Sequence, residues 1–144
     1  MTNQIFIISE SGDKILLDET LIKWSKLIND MLKEEEDYSE DAEIPLSFKT
    51  NTIKRCIEFC RQYDIGPFTI PKKQLKSKED INHILPRWCV NLISIEPSEI
   101  LDLVNFANFI DIDILINVCC VKLASLMKGE DPKQIVAILN IRTA

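Results

Sequence analysis

Residues 101–141 read LDLVNFANFIDIDILINVCCVKLASLMKGEDPKQIVAILNI. Apolar side chains recur in this tract at helical spacing, and its interruptions are those that end and restart helices. Pro97 stands just upstream at a first-turn position, and Glu99 follows where the helix dipole favours negative charge. Ile100, Leu101, Leu103, Val104 and Ala107 form the expected buried face of this first helix. A second helix is expected over 112–128, with Gly129 as its stop. Asp131-Pro132-Lys133-Gln134 is a new start. Asp131 is the cap, Pro132 takes the first helical position and Gln134 sits three residues after the cap, as in a capping box. The last helix carries Ile135, Ile138 and Leu139.

The 112–128 helix is apolar on nearly every face, from Ile112, Leu115 and Ile116 through Val118, Cys120, Leu123 and Met127. A helix that is apolar all round must be covered all round. The rest of the domain can enclose it, as a central core helix. Alternatively one face is kept for a partner, together with Ile135, Ile138, Leu139 and Ile141, which have little chain after them to cover them. Periodicity leaves both readings open.

Upstream of this tract the pattern changes. Residues 4–9 and 14–18 are β-branched and apolar, and Glu10-Ser11-Gly12-Asp13 between them is a turn cluster, so a hairpin opens the chain. Ser25 caps an expected helix running to about Glu34, with Leu27, Ile28, Met31 and Leu32 on one face. Residues 34–43 hold seven acidic side chains in ten and no basic one, which reads as a solvated loop. Ile44-Pro45-Leu46 is a short extended segment, because proline disfavours helix in the residue before it. Thr50 or Asn51 caps a helix whose Ile53, Cys56, Ile57 and Cys60 fall on one stripe. Residues 64–85 form the longest irregular stretch, and Pro86 opens a short helix with Trp88, Cys89 and Leu92. Strands mixed with helices, then helices alone, make the class α+β, mostly helical with a small N-terminal sheet.

Composition narrows the function classes. The 144 residues are 46% hydrophobic and 28% charged, with a net charge of −6. No apolar run approaches the roughly 18 residues of a membrane span, and the first ten lack a secretory pattern, so cytoplasm, nucleus or both are expected. Nucleic acid and membrane are not expected partners. The basic cluster at 72–78 has no interleaved aromatic for base stacking and reads as a solvated loop. The five cysteines form no C-x-x-C pair, and His83 is the single histidine, so reduced, buried thiols are expected rather than a metal site. No cofactor is expected: Gly12, Gly66 and Gly129 are isolated and build no phosphate cradle. Catalysis has no constellation to rest on, because any Cys-His or Ser-His pairing depends on His83 alone and the carboxylates are bunched in one exposed run. The chain is not expected to be an enzyme.

Several segments resemble one family. The hairpin IFIISESGDKILLD, the segment EIPLSFKTNTIKRCIEFC and the 101–141 tract look like the S-phase kinase-associated proteins, adaptors with a BTB/POZ-type fold. The most specific pieces run from Ala107-Asn108-Phe109-Ile110-Asp111-Ile112 through Lys128-Gly129 and Pro132 to Asn140-Ile141. The resemblance implies an adaptor of a cullin-RING (SCF-type) ubiquitin ligase that bridges cullin to F-box substrate receptors. Residues 1–111 would be the BTB/POZ-like, cullin-binding portion and 112–144 the C-terminal helices that bind the F-box. For the cullin N-terminal domain the matched positions are Asn108 and Phe109, where the family usually has asparagine and tyrosine. Phenylalanine keeps the ring and drops the hydroxyl. For F-box proteins the matched positions are Ile116, Cys120, Leu123, Met127, Ile135, Leu139 and Ile141, the same residues that carry the apolar excess.

This chain departs from the family in two places. The family continues past Ile141 with an acidic helical tail ending in an Asn-Gln-Trp-Cys-like segment, so the F-box-binding extension reads as truncated at Ala144. The loop before Pro86 is basic here and acidic in the family. A shorter extension leaves the C-terminal apolar face open to a second occupant, another copy of the chain in a homodimer. The competing readings are an elongin C-like adaptor, a self-associating POZ domain, or a viral or parasite mimic.

Overall fold

The hairpin forms because residues 9–13 can close it. In the computed structural model, which describes residues 5–17, 19–34, 42–71 and 81–126, Gly12 takes a positive φ of 87° that a side chain would strain. The Ser9 N–H donates to the Asp13 carbonyl at 2.9 Å and the Gly12 N–H to the Ser9 carbonyl at 2.9 Å. Strand β1 (Ile5–Ile8) then pairs antiparallel with β2 (Lys14–Leu16), setting Ile7 opposite Ile15. Both side chains face the core, which fixes the register, since a one-residue slip would turn them outward. Strand β3 (Ala42–Pro45) lies on the other side of β1, parallel to it, giving the order β2-β1-β3. A parallel neighbour needs a crossover, and two helices supply it.

Those helices are α1 (Glu19–Trp24) and α2 (Lys26–Glu34). Ser25 separates them and is fully buried. Its Oγ accepts the Ile28 N–H at 3.2 Å, the expected cap, and donates to the Ile110 carbonyl at 2.6 Å. Helix α1 has no counterpart in the periodicity reading, because six residues are too few to show a repeat.

Helix α3 (Thr50–Ile65) buries the expected stripe of Ile53, Cys56, Ile57 and Cys60, and adds Phe59. Its start corrects the expectation of a Thr50 or Asn51 cap: the cap residue is Lys49, and it makes no side-chain cap bond. The Thr50 hydroxyl turns to the hairpin instead. It donates to Asp13 Oδ2 at 2.6 Å and lies 2.7 Å from Ser9 Oγ. The Thr50 hydroxyl first, and then that of Ser11, holds the Asp13 carboxyl below its ordinary pKa.

The described residues at the two ends of the 64–85 stretch are more ordered than its composition implies. Asp64 and Ile65 finish α3, and Ile81–Ile84 is the one-turn helix α4. Between them the Tyr63 hydroxyl donates to the Phe68 carbonyl at 3.1 Å. The Phe68 ring packs on Tyr63 at 5.4 Å and on Trp88 at 5.8 Å. Aromatic contacts of this kind hold a segment in place without regular structure. Residues 72–80, with most of the basic cluster, lie outside the described residues, as do 35–41 of the acidic run.

Pro86 does open the short helix α5 (Arg87–Leu92). Helix α6 (Pro97–Ile110) begins with proline in its first turn and a reciprocal capping box between Glu96 and Glu99. It buries Ile100, Leu101, Leu103 and Ala107 as expected, together with Phe106 and Ile110, while Val104 is half-buried. Asp111 ends it in the left-handed conformation, φ 62°, which aspartate tolerates better than most side chains. Helix α7 (Asp113–Leu126) packs along α6, and α6 also packs on α3. The core runs as one cluster from Ile7 through Phe59 and Phe106 to Leu115, Val118 and Val121.

Candidate functional site

Two faces present side chains outward in patterns that suit protein partners. The first is the solvent edge of α6. Asn108 is exposed and Phe109 is 48% exposed. Asn105, also exposed, lies one turn before them at i−3 and i−4, so the three form one patch. Asn105 was not singled out from the sequence, where an asparagine in a helix carries no signal until its face is known.

The Phe109 ring has support behind it. Phe48 lies 5.4 Å from it, centroid to centroid, and 4.9 Å from the fully buried Phe106. Beside this ring series, Lys49 Nζ reaches Asp102 Oδ2 at 3.2 Å, with Asp102 nearly buried and Lys49 exposed. The patch is therefore an apolar ring on a firm base with two amides beside it. It offers area and hydrogen-bonding groups, and no arranged acid, base or nucleophile.

The second face runs along α7. Leu115, Val118, Cys119 and Val121 are buried, whereas Ile116 and Leu123 are half-buried and Cys120 is exposed. Ile116, Cys120 and Leu123 fall at i, i+4 and i+7, one stripe. Within the described residues α7 is not covered all round. Ile116 and Leu123 also pack in part against the core. Met127, Ile135, Leu139 and Ile141, expected on the same face, lie outside the described residues, as does the capped start at Asp131.

The thiols follow the two environments. Burial raises Cys56 well above its ordinary pKa, pushes Cys89 up to about 12 and raises Cys119 further. Cys120 is raised too, although it alone is exposed, which departs from the expectation of a uniformly buried set. Ellman's reagent should therefore titrate one thiol of the native protein, Cys120, and all five after denaturation. Its native rate should climb with pH, since the thiolate reacts and partial burial disfavours it. Prompt reaction of two or more native thiols would contradict the burial of Cys56, Cys60, Cys89 and Cys119.

Other clefts are less organised. A cavity of about 510 Å³ at the start of α3 is lined by Glu10, Asp13, Lys49, Lys54 and Arg55, a mixture of both signs that favours no one charge. His83 is exposed. Among the described residues no three His, Cys, Asp or Glu side chains are arranged to hold a metal ion, and no helix is long and apolar enough to cross a membrane.

A small mixed sheet bracketed by helices defines an α+β domain of BTB/POZ type. No family model matches the chain. Relatives do. An "E3 ubiquitin ligase complex SCF subunit sconC" of Arthroderma otae is 27% identical over 141 residues, covering 98% of this chain and 84% of that protein. A "Skp1-related protein" of Caenorhabditis elegans is 26% identical over 144 residues, 96% of this chain and 81% of the relative. An "S-phase kinase-associated protein 1 homolog" of Tetrahymena thermophila is 27% identical over 143 residues, 97% of this chain and 83% of the relative. The chain is similar to the S-phase kinase-associated proteins over nearly its whole length.

Proposed function

We propose that the protein is an adaptor of an SCF-type ubiquitin ligase, joining a cullin to F-box substrate receptors. One observation carries the reading: similarity to proteins named as SCF subunits spans 98% of the chain, both helical faces included. The portion up to residue 111 docks the cullin N-terminal domain through Asn108 and Phe109. The portion from 112 grips the F-box through Ile116, Cys120 and Leu123, joined by Met127, Ile135, Leu139 and Ile141. The adaptor supplies no catalytic group. It works by geometry, holding a receptor-bound substrate near the ubiquitin-charged enzyme and raising its effective concentration. Such an assembly operates in the cytoplasm or nucleus, where thiols stay reduced.

The arrangement suits the task. The two stripes lie on separate helices, so both partners can be held at once. Size-exclusion chromatography with light scattering, on the chain mixed with a cullin N-terminal domain and an F-box protein, should give a ternary complex with one copy of each. A stable homo-oligomer that ignores both partners would overturn the proposal.

A further inference from the structure

Between β3 and α3 the chain turns a corner at residues 46–49, and that corner is tied from both sides. From the sheet, the Leu46 N–H donates to the Ile8 carbonyl at 2.9 Å, and the Glu10 N–H donates to the Phe48 carbonyl at 2.9 Å. From α6, three side chains at i, i+4 and i+7 receive it: Asp102 pairs with Lys49 at 3.2 Å, while Phe106 and Phe109 take the Phe48 ring at 4.9 and 5.4 Å. The corner is thus placed independently of Phe109, and Phe48 reaches Phe109 from a fixed base.

The ring it reaches is 48% exposed. A surface phenylalanine on a helix chooses between two χ1 wells. The Phe48 ring, 5.4 Å away, packs against Phe109 in one of these wells and so favours that well before a partner arrives. Affinity gained in this way comes from ordering already done, not from added contact.

We propose that Phe48 is a positioning residue of the α6 docking face, holding the Phe109 ring in the orientation a cullin helix surface meets. This rests on Phe109 being a cullin contact. Phe48 acts through Phe109, so its removal should matter only while the Phe109 ring is present.

The test is a double-mutant cycle read by calorimetry against a cullin N-terminal domain. Wild type, Phe48→Ala, Phe109→Ala and the double variant are compared, with F-box binding as the control for folding. Phe48→Ala should weaken cullin binding about five- to tenfold, leave F-box binding unchanged, and add nothing in the Phe109→Ala background. Phe48→Leu, which keeps an apolar side chain on the ring, should restore most of the loss, and it carries the same cycle if the alanine variant does not fold. Equal losses from Phe48→Ala in both backgrounds, or no loss in either, would overturn the positioning role alone. A wild-type chain that does not bind cullin overturns the docking reading and this inference with it.

Discussion

Phe109→Lys should leave the domain folded and lower its affinity for a cullin N-terminal domain about a hundredfold or more. The fold survives because the side chain is 48% exposed and lysine is a good helix former, so only the contact with Phe48 is lost. On the proposed docking through Phe109, binding should not survive, because an ammonium in a desolvated apolar contact is costly. Truncations at such positions already cost about 2 kcal/mol or more, and a buried unpaired charge costs about 3–5 kcal/mol. Circular dichroism should overlay that of the wild type, and F-box binding should be retained, since Phe109 is not on α7. Undiminished cullin affinity would remove Phe109 from the docking face.

Phe59→Ala acts on the other side of the ledger between fold and function. Phe59 is fully buried, stacked on Tyr63 at 5.7 Å and packed against Trp88 at 5.5 Å. Trp24 adds an edge contact to Tyr63 at 4.9 Å. Removing the ring leaves a cavity at the centre of this cluster, worth about 3–5 kcal/mol. Against a typical total of about 5–15 kcal/mol, that should unfold a measurable fraction at room temperature and shift the urea midpoint strongly downward. The neighbouring control is Ile65→Ala. Ile65 is 85% exposed at the end of the same helix, and its loss should change stability by about 0.5 kcal/mol or less. Similar midpoints for the two variants would mean that the aromatic cluster is not the anchor of the 66–70 segment.

Features were legible in the sequence where one residue type meets one physical demand. Gly12 in the hairpin turn, Ser25 before α2, Pro97 with Glu99 in α6 and the Cys56 stripe in α3 each answer a local requirement of turn, cap or face. The missed features depend on distant partners. Thr50 has the chemistry of a helix cap, but its hydroxyl is drawn to Asp13, 37 residues away in the chain. Asp102 is a charge that belongs outside by composition, yet it is nearly buried because Lys49 reaches it. Phe68 sits in a proline- and lysine-rich stretch that reads as irregular, and Tyr63 and Trp88 pin it.

The candidate docking faces divide in the same way. Periodicity was enough to establish that α7 carries more apolar surface than a solvated helix needs, because spacing along one helix is a local property. Which side of it would stay open was not in the spacing. That followed from the tertiary packing, which buries Leu115 and Val118, half-buries Ile116 and Leu123 and exposes Cys120. The sequence likewise contained Phe109 and Phe48 as separate aromatics, 61 positions apart and without any pattern linking them. Their meeting required β3 to pair with β1, since that pairing delivers the 46–49 corner to the edge of α6. Caps, turns and stripes are local and were readable from the chain; ring contacts, the Lys49–Asp102 pair and the exposed side of a helix are sums over distant segments, and they came from the fold.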